Sequence, residues 1–448
     1  MAVDTKKRTS RLLSVFSENF GLSRILSALL VSFILAVIGL AIFWFYYTSP
    51  PRTLTISSGP AGSTFARNAE KYRDILAKSG VTLKILPSEG SLENLERLTN
   101  RQARVDFGFV QGGVADAASA RELVSLGSVA YEPLLVFYRN PTPLKLLSEL
   151  AGRRIAVGAV GSGTRALATT LLETNGIAAG DGAGSTLSGL DADEAAQSLL
   201  DGKVDAVFMT SDSASGQTML KLLRAPGIRL LSFEQADAYT RRFNYLNKLC
   251  LPEGAIDLGK NLPANDVWLV GPTVELVARP DLNSAISDLL LETAQEVHGR
   301  ATILQNQGEF PKPLQHEFKI SPDAARYYKS GKTFLYRELP FWMASWANRI
   351  LVVFVPTLLV VIPGVRLIPS LYKWQIRLRI FRWYRSLMVL ERELANQLSP
   401  AEISQVQKRL DEIEQGVRRL KVPASFADTF YGLRGHIDYV REKLAKKV

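Results

Sequence analysis

The chain has 448 residues, enough for two or three domains of ordinary size, and 47% of them are hydrophobic against 22% charged. This composition excludes a wholly disordered chain and a collagen-like repeat. Cys250 is the single cysteine, which excludes an intrachain disulfide framework and a zinc site built on several cysteines. Only three histidines, His298, His316 and His436, are present, which argues against a His-rich metal site.

The net charge of +11 is concentrated at the two ends of the chain. Residues 1–24 carry five basic and two acidic side chains, and residues 366–448 carry 17 basic and nine acidic ones. Residues 25–365 carry 32 of each sign and are neutral overall. A protein that binds duplex nucleic acid needs a basic face on its folded domain, so this distribution argues against nucleic-acid binding.

The first apolar segment, residues 25–47, contains 23 residues without a charge. As a helix it would be about 34 Å long, enough to cross a hydrocarbon core of roughly 30 Å. It ends in an aromatic cluster at residues 43–47, typical of a membrane interface and unlike the small residues that precede a signal-peptide cleavage site. We therefore expect an uncleaved transmembrane anchor at 25–47, with a cleaved signal peptide as the alternative.

A second apolar segment covers residues 350–365 and is interrupted by Pro356 and Pro363. Apolar residues extend it upstream to 341, with Arg349 inside the run, and a buried core helix is the alternative interpretation. Basic residues precede the first segment and follow the second, so the positive-inside rule places both ends in the cytoplasm. We expect a second transmembrane helix at 341–368, a cytoplasmic N-terminal segment at 1–24, a cytoplasmic helical tail at 369–448, and an outer domain at 48–340. That domain faces the outer side of the cytoplasmic (inner) membrane, the periplasm of a Gram-negative cell.

The outer domain alternates strands with glycine-containing turns and helices. The pattern predicts strands at 54–58, 81–86 and 105–110, with helices at 65–77 and 92–101 between them. This βαβαβ order favours an α/β fold with a parallel sheet and right-handed crossovers.

A second round of the same pattern follows further along the chain. It predicts strands at 154–157, 204–209 and 228–233 and helices at 165–175 and 191–200. Two rounds predict two lobes, lobe 1 at about 53–135 and 265–340 and lobe 2 at about 136–264. Residues 267–277 are rich in β-formers and are expected to return the chain to the first lobe.

Three turns have the chemistry of a binding site, those at 59–64, 90–91 and 158–164. Each precedes a predicted helix, whose first turn presents unpaired N–H groups and the positive end of the helix dipole. Glycine and serine let a ligand approach the backbone, and in open α/β sheets ligands lie beyond the carboxyl ends of the strands. The three turns together predict a site for one small anion, such as a carboxylate, and three ordinary βα loops are the alternative.

The glycine-rich turns do not match the motifs of nucleotide-binding proteins or of serine hydrolases. The spacing of Gly158, Gly161 and Gly163 is the reverse of the dinucleotide-binding fingerprint, and no GK[ST] follows any of the turns. Ser162 lacks the G-x-S-x-G context of a nucleophile, and the histidines of the outer domain have no evident partner. We therefore expect no enzymatic activity, no cofactor and no metal.

The turns and their flanking motifs resemble a known family. The segments that show the resemblance are 59–64, 89–95 (Glu-Gly-Ser-x-Glu-Asn-Leu), 106–111, 150–158, 161–164 (Gly-Ser-Gly-Thr) and 201–206. In this order they resemble the TAXI group of solute-binding proteins, the extracytoplasmic receptors of one class of TRAP transporters. The resemblance covers roughly residues 53–340.

The resemblance implies a two-lobed periplasmic-binding-protein fold that closes on a small organic anion, an amino acid or a carboxylate, and passes it to a TRAP-type permease subunit. Carried over by position, the ligand-binding residues are Ser58, Gly62, Ser63, Thr64, Gly90, Ser91, Gln111, Gly161, Ser162, Gly163 and Thr164. The stretch 210–213 (Thr-Ser-Asp-Ser) departs from the family, which implies a different ligand or weaker binding. The two expected spans are a further departure, and a tether of this kind would raise the effective concentration of the receptor near its partner.

The tail after the second span begins with basic residues interleaved with aromatic ones. Residues 373–385 predict a basic amphipathic helix at an anionic lipid surface, with a solvated continuation of the span as the alternative. A capping box at 399–402 then opens a helix whose apolar residues are spaced 3,4,3,4,3, namely Ile403, Val406, Leu410, Ile413, Val417 and Leu420.

This apolar seam needs a partner, which is either the next helix at 425–446, in a helical hairpin, or a second chain, in a homodimeric coiled coil. The sequence therefore supports two functions. The first is a membrane-anchored receptor for a TRAP-type transporter. The second is a transmembrane sensor or scaffold in which the outer domain signals to the tail.

Overall fold

A computed structural model of the protein describes residues 24–178, 184–314, 316–395, 400–420, 422 and 426–446. The chain divides into two compact units. One is Pro50–Ala347, and the other combines Met1–Ser49 with Asn348–Val448.

The unit Pro50–Ala347 alternates strands and helices as the sequence predicts. With α1 reserved for the preceding helix Arg24–Tyr47, its first half contains β1 (Thr53–Ser57), α2 (Thr64–Lys78), β2 (Thr82–Leu86), α3 (Ser91–Thr99), β3 (Phe107–Gln111), α4 (Ser119–Glu122), β4 (Val124–Tyr131), β5 (Leu135–Tyr138), β6 (Arg154–Ala156) and α5 (Gly163–Thr174). Its second half contains β7 (Thr186–Ser188), α6 (Ala192–Leu200), β8 (Ala206–Met209), α7 (Gly216–Leu223), β9 (Arg229–Leu230), α8 (Ala236–Arg242), β10 (Asn247–Leu251), β11 (Val267–Gly271), β12 (Thr273–Ala278), α9 (Ser284–His298), β13 (Lys319–Ile320), α10 (Pro322–Ser330) and α11 (Phe334–Glu338).

The strands of this unit form a six-stranded sheet, a five-stranded sheet and a two-stranded ribbon. The six-stranded sheet has the order β13-β4-β12-β3-β1-β2, and the five-stranded sheet has the order β7-β6-β8-β5-β9. We call the first sheet and its helices lobe 1, and the second sheet, the β10-β11 ribbon and their helices lobe 2.

Both large sheets are mixed, whereas the sequence predicted parallel ones. Strands β1, β2 and β3 are parallel, but β12 runs antiparallel to both β3 and β4. In lobe 2, β5 runs antiparallel to β8 and β9. The α/β class is confirmed, and the difference arises because β12 and β5 enter each sheet from the other lobe rather than through a βα crossover.

The segment 267–277 forms two strands in different sheets. Strand β11 pairs with β10, and only β12 joins lobe 1. Gly271, at the end of β11, lies against the Glu132–Pro133 backbone, where a Cβ would sit 2.1 Å from the Glu132 carbonyl oxygen. The chain therefore crosses between the sheets twice at one place, after β4 and after β11.

Each lobe is built around its own apolar core. The lobe 1 core packs α2 and α9 on the sheet through buried residues that include Tyr72, Phe107, Phe109 and Leu290. In lobe 2, one face of the sheet buries Leu171 and Phe208, and the other buries Phe137 and Leu199. Two separate cores are what allow two lobes to move as bodies about the crossing strands.

The unit that combines both ends of the chain contains α1 (Arg24–Tyr47) and most of α12 (Phe341–Ala395). Within the described residues, one helical segment, Phe341–Gly364, is long and apolar enough to cross a membrane, and Val31–Tyr47 is a shorter apolar helix. The Arg349 guanidinium faces protein, because Nη1 donates to the Phe45 carbonyl oxygen at 3.2 Å and the group lies 4.7 Å from the Phe45 ring centroid.

The tail is a three-helix bundle of the end of α12, α13 (Pro400–Arg418) and α14 (Ala427–Ala445). The predicted seam is covered within the chain: Val406, Leu410, Ile413 and Val417 are buried against α12 and α14. The α12 residues that cover it include Ile380, Leu387 and Leu394. The predicted capping box falls partly on residue 399, which lies outside the described residues.

Candidate ligand-binding cleft

The carboxyl ends of β1 and β3 in lobe 1 are tied together by Asn94, on helix α3. Its Oδ1 accepts hydrogen bonds from the hydroxyls of Ser57 and Ser88, both at 2.6 Å. Its Nδ2 donates to the carbonyl oxygens of Ser58, at 2.6 Å, and Phe109, at 2.8 Å. Asn94 is fully buried, and its side-chain amide makes four hydrogen bonds. It therefore fixes the turns at the edge of lobe 1.

Helix α3 begins at this edge, at Gly90 and Ser91. Gly90 has a φ of 137°, which favours glycine, and a Cβ on it would lie 2.5 Å from Oδ2 of Asp212. The Ser91 hydroxyl accepts a hydrogen bond from the backbone nitrogen of Gln111 at 3.2 Å. The start of α3 is thereby held against the end of β3, with its amides facing lobe 2.

Helix α5 begins at the facing edge of lobe 2. Ser162 caps it, with Oγ accepting from the Arg165 nitrogen at 3.1 Å and donating to the Ala159 carbonyl at 2.8 Å. Gly163 follows directly, and a Cβ there would lie 2.3 Å from Cδ of Gln111. A larger residue at position 163 would displace the Gln111 side chain, so glycine permits the contact between Gln111 and the start of α5.

The starts of α3 and α5 converge on the carboxylate of Asp212, which follows β8. Its Oδ2 accepts from the backbone nitrogens of Gly163, at 2.5 Å, and Ser91, at 3.2 Å. Its Oδ1 accepts from the hydroxyls of Thr164, at 3.0 Å, and Thr210, at 2.8 Å. Asp212 is fully buried, so two helix N-termini and two hydroxyls replace the water that it would otherwise bind.

Three further hydrogen bonds join the lobes around Asp212. They run from the Thr64 nitrogen to the Ser211 carbonyl at 3.2 Å, from the Glu93 nitrogen to the Gly161 carbonyl at 3.0 Å, and from Nε2 of Gln111 to the Gly163 carbonyl at 2.7 Å. The lobes are therefore in direct contact, and the cleft is closed at this place.

A second buried carboxyl lies beside the first, on Glu132 where the chain first crosses between the sheets. Its Oε1 accepts from the Ser211 hydroxyl at 2.7 Å, and its Oε2 has no hydrogen-bond partner among the described residues. Burial and, second to it, the charge of the neighbouring Asp212 raise the pKa of Glu132 to about 8, although hydrogen bonds from Ser211 and from the Asp212 backbone oppose the shift. Glu132 is accordingly a neutral acid at pH 7.

A cavity of about 350 Å³ opens next to this contact and is lined by both lobes. Lobe 1 contributes Pro60, Ala61 and Glu89, and lobe 2 contributes the turn at Gly158 and the start of α6. The lining is acidic, since it includes Glu89, Asp191, Asp193 and Glu194. A cationic group would be favoured here over a second anion.

Residues 62–293, just over half of the chain, match the NMT1-like family. The chain belongs to the NMT1-like family. The match contains α3 and α5 with their N-terminal turns and Asp212, so the cleft lies in the part of the chain that carries the family relationship.

This NMT1-like protein is also similar to solved structures of two ligand-binding proteins and of a sensor domain. An ancestral arginine-binding protein bound to arginine is 14% identical, over 55% of this chain and 93% of its own, with a TM-score of 0.37. The alkanesulfonate-binding protein SsuA from Xanthomonas axonopodis pv. citri bound to MOPS is 18% identical, over 56% and 74%, with a TM-score of 0.36. A histidine kinase sensor domain with similarity to periplasmic binding proteins is 15% identical, over 55% and 90%, with a TM-score of 0.35.

The structure of the NMT1-like protein brings most of the predicted site residues to the interlobe contact. Thr64, Ser91, Gln111, Gly161, Gly163 and Thr164 bond either to the other lobe or to Asp212, and Gly90 packs on Asp212. Ser63 and Ser162 cap helices within their own lobes. Ser58 takes part in the Asn94 network, and Gly62 is exposed, with nothing within 4 Å of the position of a Cβ.

Sequence reasoning missed the central residue of the cleft, Asp212. The stretch 210–213 departs from the family pattern, but that departure does not by itself place the Asp212 carboxylate in the cleft. The signal that was available is its position three residues after the central strand β8, where carboxyl ends of strands form binding sites. Within the part of the chain that the structure describes, no group of three or more His, Cys, Asp or Glu residues is placed to hold a metal ion.

Proposed function

We propose that the protein is a membrane-anchored extracytoplasmic solute-binding receptor that closes its two lobes on a small organic molecule, without chemistry, and passes it to a TRAP-type permease. The observation that carries the proposal is the meeting of two helix N-termini, one from each lobe, on one carboxylate. A site that satisfies a carboxylate with amides from both lobes couples binding to closure, which is the physical requirement for a receptor of this kind.

The cleft favours a zwitterionic amino acid over a dicarboxylate as the solute. The amides of Ser91 and Gly163 and the hydroxyls of Thr164 and Thr210 suit a carboxylate, since all four are donors. The adjacent cavity is lined by four acidic residues and suits an ammonium group. A second carboxylate on the solute would be repelled there.

The membrane part of the proposal rests on the apolar segments and their flanks. The segment Phe341–Gly364 has the length and composition of a span, and the basic residues that follow it favour a cytoplasmic tail. We propose that residues 25–47 form the other span, so that both termini are cytoplasmic and the cleft lies on the outer side of the membrane. The basic aromatic part of α12 would then lie near anionic lipid, and a homodimer would form through tail surfaces other than the buried seam.

Calorimetric titration of the full chain in detergent with a panel of amino acids and carboxylates tests this proposal. We expect saturable heat with a zwitterionic or cationic solute and none with dicarboxylates of the same length. A panel in which no member produces heat or a thermal shift contradicts the proposal.

A second candidate function, a transmembrane sensor, is favoured by the folded core of the tail. Leu387 and Leu394 of α12 pack there with buried residues of α13 and α14. Hydrogen exchange of α13 and α14, measured with and without the bound solute, tests it. Protection that is unchanged by solute contradicts a signal to the tail.

A further inference from the structure

We infer that Asp212 is a resident ligand of the cleft, whose carboxylate takes the place of a solute carboxylate and holds the two lobes closed when no solute is bound. The inference concerns the same cleft as the proposed function, but it needs no solute to be correct.

The carboxylate of Asp212 has a full set of hydrogen-bond donors. Two amides point at one carboxylate oxygen and two hydroxyls at the other, at distances between 2.5 and 3.2 Å. All four donors are neutral, and Asp212 is fully buried. A carboxylate held in this way has the environment that binding proteins give to an anionic ligand rather than that of a surface side chain.

The two backbone amides that donate to Asp212 are distant from it in the sequence. An aspartate that merely caps a helix accepts from amides two or three residues ahead of it. The helix that follows Asp212 is α7, which is capped by Ser215 instead. The amides that Asp212 accepts from belong to residues 49 positions earlier, in Gly163, and 121 positions earlier, in Ser91.

The hydrogen bonds to Asp212 come from both lobes. Gly163, Thr164 and Thr210 belong to lobe 2 with Asp212, whereas Ser91 belongs to lobe 1. Removal of the carboxylate leaves two buried amides without an acceptor, one on each side of the contact. The free energy of the closed arrangement then rises relative to that of an open one, in which water reaches both amides.

The space around Asp212 is closely packed. A Cβ at Gly90 would lie 2.5 Å from Oδ2 of Asp212, and one at Gly59 would lie 2.6 Å from its carbonyl oxygen. The pocket around the carboxylate is therefore filled, with no space for a second carboxylate. A solute carboxylate binds to these amides only if Asp212 leaves them, so Asp212 is a competitor of the solute at its own site.

The experiment compares the full-length protein with Asp212→Ala and Asp212→Asn in detergent, without solute. Asp237→Ala is the matched control, because Asp237 is a lobe 2 carboxylate that pairs with Lys248 on the surface, at 2.8 Å, away from the cleft. In a Cys250→Ser background, spin labels at Glu70→Cys, exposed on lobe 1, and Arg241→Cys, exposed on lobe 2, report the interlobe distance. Melting temperature is the second readout.

We expect one narrow distance distribution for the unsubstituted protein and the control. Asp212→Ala should shift and broaden it towards longer distances and lower the melting temperature by about 5–10 °C, since two buried amides lose their acceptor. Asp212→Asn keeps the shape and one acceptor oxygen, so it should fall between the two. Formate at about 0.1 M should return Asp212→Ala at least half-way in both readouts, because formate fits the vacated place.

An Asp212→Ala protein with the distances and melting temperature of the control overturns the inference, and so does one that formate leaves unchanged. If Asp212→Ala does not fold, Asp212→Asn decides the matter by its distance distribution alone, and a distribution like that of the control overturns the inference. These outcomes are independent of the solute titration. A protein that binds no solute but opens on loss of Asp212 contradicts the proposed function and supports the resident ligand.

Discussion

The backbone nitrogen of Ser91, at the start of a lobe 1 helix, donates to the carboxylate of Asp212, which follows a lobe 2 strand 121 residues further along the chain. This bond makes the state of one carboxylate part of the contact between two lobes. It also locates the cleft more narrowly than the three predicted turns do.

The first prediction concerns the amide of Ser91. Ser91→Pro removes the N–H at a first helical position, where proline is otherwise tolerated, whereas Ser91→Ala keeps it. We expect Ser91→Pro to weaken solute binding at least tenfold, since one charge-assisted hydrogen bond is lost, and Ser91→Ala to change it less than threefold. Calorimetric titration of the two variants measures the difference, and equal affinities would show that the amide has no part in binding.

The second prediction concerns the contact between Gly163 and Gln111. Gly163→Ala places a methyl group on the Gln111 side chain, which must move and give up its hydrogen bond to the Gly163 carbonyl. We expect Gly163→Ala and Gln111→Ala each to lower the free energy of unfolding by about 1–2 kcal/mol.

Because both changes remove the same bond, their effects should not add. The double variant should be no more than about 0.5 kcal/mol less stable than Gln111→Ala alone. Thermal unfolding of the unsubstituted protein, the two single variants and the double variant measures the four stabilities of this double-mutant cycle. Full additivity of the two losses would contradict a shared contact.

The third prediction concerns the pH dependence of stability that Glu132 produces. Burial raises its pKa to about 8, against about 4.5 in the unfolded chain, so between these values the folded protein holds a proton that the unfolded chain has released. Stability should therefore fall as the pH rises from about 4.5 to 8, by up to about 1.4 kcal/mol per pH unit.

Glu132→Gln mimics the protonated acid, so the part of the fall in stability with rising pH that Glu132 causes should be absent from the variant. Glu275, whose pKa burial raises to about 7, leaves a smaller slope of the same sign. Melting temperatures of both proteins from pH 5 to 8.5 measure the difference, and parallel curves would show that Glu132 is ionised at neutral pH.

The fourth prediction concerns Asn94, which carries four hydrogen bonds in lobe 1. Asn94→Ala leaves two hydroxyls and two carbonyls without their partner in a buried place, and we expect a loss of about 3 kcal/mol of stability or more. Asn140→Ala is the control, since Asn140 donates only one side-chain bond, to Thr142 at 3.2 Å. Thermal unfolding decides, and similar losses for both variants would contradict a central role for Asn94.

The local features of the fold could be predicted from the sequence, because strand alternation, helix periodicity and glycine turns depend on residues that are neighbours in the chain. The helices α2, α3, α5 and α6 begin within two residues of the predicted positions. The lobe 2 turn that presents Gly163 was predicted for the same reason. The prediction of two spans and of a TRAP partner stays a prediction.

The long-range features could not be predicted in this way. Strand β12 enters lobe 1 between β3 and β4, and that pairing depends on residues more than 140 positions apart. The tail seam on α13 packs against a second partner besides α14, namely α12, whose apolar face at Ile380 and Leu387 lies among many basic residues. The position of Asp212 after β8 indicates a binding edge, but its partners at Ser91 and Gly163 lie 121 and 49 residues earlier and could not be predicted from the neighbouring sequence.

The central claim is that amides from two lobes form one carboxylate site. Calorimetric titration of the unsubstituted protein and of Asp212→Ala with formate tests it most directly. The account predicts saturable heat for Asp212→Ala and none for the unsubstituted protein, in which the site is filled. Absence of heat from both proteins, or the same heat from both, would contradict it.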